Sequence, residues 1–146
     1  MKKEEIQAIK ASMVQYTGTK TIFATPMTRG EYNALRGWEV PEDEDPADLG
    51  YLVQYVSCGT SNMEEFGGYI SWSPQAAFED AYRLSGSEKD KISIQIEQLF
   101  AELAQVQNRL RDPGNDIEMT RLLSAQMHVI QTYHQILAMK YEKLNK

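Results

Sequence analysis

The sequence has one cysteine and no long apolar run. Cys58 has no partner for an intrachain disulfide, as is typical of proteins in a reducing compartment. No apolar stretch reaches the roughly 20 residues that a membrane-spanning helix needs. Charges occupy residues 2–5, where a secretory signal would carry its apolar segment. These absences predict a soluble protein of the cytoplasm that has no membrane partner.

Basic residues are missing from the middle of the chain. The formal net charge is −6, and no lysine or arginine lies between Gly37 and Tyr82. An acidic surface repels a phosphate backbone, so we expect no binding to DNA or RNA polymers or to anionic lipid. A small anion would still bind where a few arginines converge. The carboxylates of this span are Glu39, Glu42, Asp43, Glu44, Asp45, Asp48, Glu64, Glu65, Glu79 and Asp80.

Motifs for catalysis and metal binding are also missing. His128 and His134 lie six residues apart on a predicted helix, whereas helical metal ligands prefer spacings of three or four. No nucleophile elbow or phosphate-binding loop occurs, and Cys58 has no basic neighbour. The sequence therefore predicts no metal, no cofactor and no catalytic residue, which favours a binding protein over an enzyme.

The first half of the chain has alternating signals for helices and strands. Ile6, Ile9 and Met13 recur at helical spacing, which predicts a short amphipathic helix. Segments 20–25 and 51–56 are rich in β-branched and aromatic residues and predict two strands. A third strand is predicted within residues 67–72, pairing with the second as a hairpin with a longish polar loop.

Two helix starts are predicted in this half. Thr28 and Glu31 have the spacing of a capping box for a short helix that Gly37 would end. Ser73 and Pro74 resemble a second start, because serine caps free amides and proline fits the first helical position. The acidic residues between these starts lack periodicity and predict a loop.

The second half predicts two helices joined by a short turn. Apolar residues step by three and four over residues 96–110, as in a helix that packs on another helix. Residues 112–115 break this pattern, and Asn115 with Glu118 predicts a capping box for the next helix. Because the connection is short, the two helices must be antiparallel.

The last helix carries a second apolar stripe beside the first. One partner helix cannot cover both stripes, so the second must pack elsewhere. We favour self-association into a homo-oligomer, and the alternative is packing on the sheet of the same chain. The second stripe consists of Leu122, Val129, Tyr133 and Ile136.

The segment Ser85-Gly86-Ser87 is predicted to be the joint between the two halves. The predicted fold class is α+β. It comprises a small N-terminal β-sheet domain with short helices over residues 1–86, followed by a long antiparallel α-helical hairpin over residues 87–146.

Aromatic and arginine residues gather near the two predicted helix starts. Aromatic faces stack bases, whereas arginine and free helix amides bind phosphate. The alternative is that the aromatic residues form the core and that Thr28 and Ser73 only cap. The predicted ligand-binding residues are Thr28, Arg29, Tyr32, Arg36, Trp38, Tyr69, Trp72, Ser73 and Arg83.

The runs PMTRGEYN, RGW, GYISWSP and FEDAYR, within residues 20–83, resemble a small domain of tailed-phage proteins. That domain is associated with anti-Thoeris and anti-CBASS sponge proteins. The resemblance implies sequestration of a cyclic nucleotide or cyclic ADP-ribose signal without cleavage, in the infected bacterial host cell. Arg109 and Arg121 are further candidates by charge. The alternative function is a phage protein-interaction or assembly accessory that acts through the hairpin and the acidic surface.

Overall fold

The computed structural model describes residues 1–57 and 59–146, and Cys58 lies outside this range. The chain divides into two units, Met1–Asp80 and Ala81–Lys146. The predicted joint at residues 85–87 lies a few residues beyond this division. The α+β fold class is confirmed, with a three-stranded antiparallel sheet in the first unit and a pair of long helices in the second.

The elements of the first unit follow the predicted order. They are helix α1 (Lys3–Ser12), strand β1 (Phe23–Pro26), helix α2 (Arg29–Arg36), strands β2 (Gly50–Tyr55) and β3 (Tyr69–Pro74), and helix α3 (Gln75–Ala81). The sheet order is β1-β2-β3, and both pairings are antiparallel. The predicted hairpin of the last two strands is therefore confirmed.

One side of this sheet packs against α2. Tyr32, Leu52 and Ile70 form a buried cluster, and Ile70 is fully buried. Because side chains alternate between the faces of a strand, Ile70 and Trp72 point to the same side of β3. The half-buried side chains that complete this core are Met27, Leu35, Met63, Phe66 and Trp72.

The second unit is the predicted helical hairpin, made of α4 (Glu88–Leu110) and α5 (Ile117–Leu144). The cap of α5 differs from the prediction, because the carboxylate of Asp116 accepts the amide of Met119 at 2.7 Å. Asn115 instead donates its side-chain amide to the carbonyl of Arg109 at 2.7 Å, at the end of α4. The predicted Asn115–Glu118 capping box is therefore wrong, since Asp116 offers the same chemistry one residue later.

The facing stripes of the two helices form the core of the hairpin. Val106, Leu123 and Ile130 are buried there, and Leu137 is 1% exposed. The second stripe of α5 remains outside this core, with exposures from 41% at Tyr133 to 68% at Val129. None of the helices in the described part of the chain combines the length and the hydropathy of a membrane span.

Candidate functional site

The start of α2 carries the predicted capping box. The Thr28 hydroxyl oxygen accepts the amide of Glu31 at 3.2 Å, and the Glu31 carboxylate accepts the amide of Thr28 at 2.7 Å. Two amides at the helix start are satisfied reciprocally by these bonds, so the role of Thr28 is structural.

Thr28→Ala is expected to lower the free energy of unfolding by about 1 kcal/mol, because it removes the hydroxyl that accepts the Glu31 amide. Thr28→Ser keeps that acceptor and serves as the matched control, with a smaller loss. Urea denaturation of the three proteins measures the difference. Equal stability of wild type and Thr28→Ala would contradict a stabilising cap.

The next two amides of α2 are occupied by the acidic segment between α2 and β2. The amide of Arg29 donates to the Asp48 carbonyl and that of Gly30 to the Pro46 carbonyl, both at 2.9 Å. Gly30 allows this approach, since a Cβ there would lie 2.9 Å from Pro46. The prediction that the amides after Thr28 bind phosphate oxygens is therefore wrong.

The second predicted helix start is part of the sheet. Ser73 pairs with Tyr51 in the β2–β3 ladder, Pro74 is the last residue of β3, and α3 begins at Gln75. Proline is tolerated there because β3 is an edge strand. The amide of Gln75 donates to the Leu49 carbonyl at 3.0 Å. The predicted cap and anion site at Ser73 are thus wrong, because strand pairing continues through Pro74.

Arg29 and Trp72 lie together and are engaged in packing. The guanidinium carbon of Arg29 is 5.1 Å from the centroid of the Trp72 ring, and its Nη2 is 2.7 Å from the carboxylate of Glu44. The indole N–H of Trp72 donates to the Met27 carbonyl at 2.9 Å. The charge of Arg29 is therefore balanced within the chain by Glu44, a partner that no local sequence pattern indicates.

Arg36 and Trp38 form a second cation–aromatic pair at the other end of α2. The Arg36 guanidinium carbon is 4.5 Å from the Trp38 ring centroid, and the Trp38 side chain is 53% exposed. Gly37 has a φ of 71°, a left-handed conformation that ends the helix and turns Trp38 back over it. The amide of Trp38 then donates to the Asn33 carbonyl at 2.8 Å.

Tyr32 lies behind this pair. Its ring meets that of Trp38 edge to face, with the centroids 6.2 Å apart. Because Tyr32 is only 5% exposed and belongs to the core, it supports Trp38 rather than offering a free stacking face.

Three polar atoms that belong to side chains of α2 are buried and have no hydrogen-bond partner among the described residues. They are Nε of Arg29, Nη1 of Arg36 and Oδ1 of Asn33. Each such atom costs roughly 1–3 kcal/mol when it is left unsatisfied. Asn33 is not among the predicted ligand-binding residues, although it lies one helical turn from both arginines.

Tyr69 lies on the opposite side of the sheet. It is separated from Trp72 by an odd number of positions, so the two side chains point to different faces of β3. Tyr69 instead approaches Tyr55, with ring centroids 6.3 Å apart. The prediction that Tyr69 and Trp72 shape one pocket is therefore wrong. The same alternation places Ser73 on the face of Tyr69.

Tyr51 and α3 also meet on that face. The Tyr51 ring stacks on Phe78, with the centroids 3.9 Å apart, and its hydroxyl donates to the Glu79 carboxylate at 2.9 Å. This hydrogen bond raises the pKa of the Tyr51 hydroxyl above its usual value, with contributions from burial and from the carboxylate charge.

The remaining predicted arginines belong to the second unit. Arg83 binds both carboxylate oxygens of Glu97, at 3.2 Å from Nε and 3.1 Å from Nη2, so its charge is balanced within the second unit. Arg109 and Arg121 are exposed and lie in the turns of α4 and α5 that flank the connection.

Two shallow grooves lie on the hairpin, and neither includes a predicted ligand residue. One, of about 380 Å³, is lined by Phe100, Leu103, Gln131, His134 and Gln135. The other, of about 440 Å³, lies along α5 and is lined by His128, Val129, Thr132, Tyr133 and Ile136. Across residues 1–57 and 59–146, no group of three or more potential metal ligands gathers.

The fold and the site define an α+β protein whose exposed cation–aromatic pair lies at the end of a short capped helix. Comparisons with models of protein families, with curated proteins and with solved structures found no match.

Proposed function

We propose that this protein is a non-enzymatic phage sponge that sequesters a cyclic nucleotide or cyclic ADP-ribose signal in the cytoplasm of an infected bacterial cell. It would act as a homo-oligomer. The observation that carries the proposal is the pair of Arg36 and the half-exposed Trp38. The sequence resemblance over residues 20–83 supports the choice of ligand class.

Charge separates Arg36 from Arg29 and Arg83, the two other arginines among the predicted ligand-binding residues. Arg29 is paired with Glu44 and Arg83 with Glu97, whereas Arg36 has no ion pair among the described residues. A guanidinium without a carboxylate partner is available to a phosphate, which it can bind through two N–H groups. The exposed indole beside it offers a face for a base, and stacking of this kind contributes about 1–3 kcal/mol per base.

The surroundings of the pair favour binding without turnover. Tyr32 and Asn33 contact Trp38, and neither is a general base beside a nucleophile. Asn33 is buried, at 2% exposure, so a ligand would meet the guanidinium of Arg36 and the exposed ring of Trp38 rather than Asn33.

The test is thermal denaturation of the full chain with cyclic dinucleotides, cyclic trinucleotides and cyclic ADP-ribose isomers. A ligand at about a hundred times its dissociation constant should add roughly 2.7 kcal/mol of stability. Trp38→Ala and Arg36→Gln are expected to abolish this gain. Arg111→Gln is the matched control, because it removes an exposed arginine of the hairpin and should keep the full gain.

Mass spectrometry of the ligand released by heating completes the test. Recovery of unchanged ligand supports a sponge, and recovery of a cleaved product would overturn the non-enzymatic part of the proposal. No gain with any member of the panel, or an equal gain in wild type and both site variants, would contradict a site at Arg36 and Trp38.

A protein-interaction or assembly accessory is the second candidate function. It is favoured by the exposed carboxylates of the span without lysine or arginine, among them Glu42, Asp43 and Asp45. Such a surface suits a basic partner. Capture of a protein from lysate that is released by about 0.5 M salt, where the Debye length falls to a few ångströms, would support this candidate.

A further inference from the structure

The exposed stripe of α5 has a symmetric arrangement about its centre. Val129 lies at the middle, with Leu122 seven residues before it and Ile136 seven residues after it. Leu122 is 61% exposed, Val129 68% and Ile136 45%, while the neighbouring stripe through Leu123, Ile130 and Leu137 is buried. The outer stripe is therefore an apolar surface that α4 does not cover.

The residues between and beyond these positions keep the same symmetry. Ala125 and Tyr133 lie four residues on either side of Val129, and Glu118 and Lys140 lie eleven residues on either side. All four fall on the same face of α5, because the separations follow the helical repeat. The stripe spans about 33 Å at 1.5 Å per residue.

This pattern is self-complementary when two copies of α5 run antiparallel. A two-fold axis at Val129 brings Leu122 opposite Ile136 of the second copy and Ala125 opposite Tyr133, so that a small side chain faces a large one. At each end Glu118 faces Lys140 of the second copy.

A parallel arrangement of the two copies of α5 would bring like charges together. It would place Glu118 beside Glu118 and Lys140 beside Lys140, and like charges across an interface are unfavourable. Charge and size therefore favour one orientation of one partner.

We propose that a second copy of this chain docks on the outer stripe of α5, antiparallel and with its two-fold axis at Val129. The two helical hairpins then form a four-helix bundle, an arrangement in which short-looped hairpins commonly pack. This interface goes beyond the proposed function, which specifies neither the surface nor the orientation of an oligomer.

Sedimentation velocity of the full chain tests the interface. Wild type is expected to contain dimers or larger assemblies at micromolar concentration. Val129→Glu places two carboxylates at the axis and should raise the dissociation constant of this contact at least a hundredfold. Because Val129 is 68% exposed in the single chain, the helix itself tolerates glutamate. Gln131→Glu, on another face of α5, is the matched control and should associate as wild type does.

Charge exchange tests the orientation. Glu118→Lys and Lys140→Glu should each weaken association, and the double variant should restore it, because it rebuilds opposite charges at both ends of the antiparallel pair. Circular dichroism verifies that all variants remain helical.

A wild-type monomer at tens of micromolar, or normal association of Val129→Glu, would overturn the interface. A wild-type monomer that joins a different protein through the stripe would overturn it equally. A double variant no better than the single ones would overturn the antiparallel orientation. Ligand-induced stabilisation of Val129→Glu is measured separately, so failure of the interface is distinguishable from failure of the ligand site.

Discussion

Ile70→Ala is expected to lower the free energy of unfolding by about 2–5 kcal/mol, the usual cost of truncating a buried aliphatic side chain. The side chain is fully buried in the cluster with Tyr32 and Leu52. Alanine removes its contacts and leaves a cavity beneath α2. Chemical denaturation of the full chain measures the loss.

The main chain of Ile70 is fixed independently of its side chain. Its N–H donates to Oδ1 of Asn62 at 2.8 Å, and its carbonyl accepts the Asn62 side-chain amide at 2.9 Å. Asn62 thereby takes the place of a neighbouring strand at the edge of the sheet. Because alanine keeps both hydrogen bonds, the measured loss reports the packing of the side chain alone.

Leu49→Ala is the matched control for this truncation. Leu49 is 63% exposed, so Leu49→Ala should change the free energy of unfolding by no more than about 0.5 kcal/mol. If Ile70→Ala were as mild as this control, the packing of α2 on the sheet would be contradicted.

Gly50→Ala is expected to lower the free energy of unfolding by about 3 kcal/mol, because the sheet has no room for a methyl group there. A Cβ at Gly50 would meet the carbonyl oxygen of Ser73 and lie 2.5 Å from two carbons of the Trp72 indole. The indole cannot withdraw freely, since it donates to the Met27 carbonyl and supports Arg29. Denaturation measures the cost, and a shift in tryptophan fluorescence should accompany it.

Gly18→Ala makes the same chemical change where no heavy atom lies within 4 Å of the added carbon. This control should leave stability within about 0.5 kcal/mol of wild type. Equal behaviour of the two glycine variants would contradict the close approach of β2 to Trp72.

The elements of this fold were predictable because their signals are local. The box of Thr28 and Glu31, the left-handed residue Gly37 and the turn before Asp116 each depend on residues within a few positions of one another. The stripes of the hairpin were predictable for the same reason, since helical periodicity is read along one segment. The predicted cap of α5 lies one residue before the observed cap, because Asn115 and Asp116 both have suitable side chains.

Part of the candidate site could also have been derived from local rules. The alternation of a strand separates Tyr69 from Trp72 without any structure. Proline is also common at the end of an edge strand. Only the structure shows that Ser73 pairs with Tyr51, and this pairing rules out the helix start that Ser73 and Pro74 predict.

By itself the sequence determined the fold class, the order of the elements, the antiparallel hairpin and the second stripe of α5. Only the tertiary structure decided which of Arg29, Arg36 and Arg83 are balanced by a carboxylate and which helix amides are occupied. The carbonyls of Pro46 and Asp48 and the carboxylates of Glu44 and Glu97 satisfy those groups from distant positions. Such pairings depend on how the chain folds back on itself, which a local pattern does not specify.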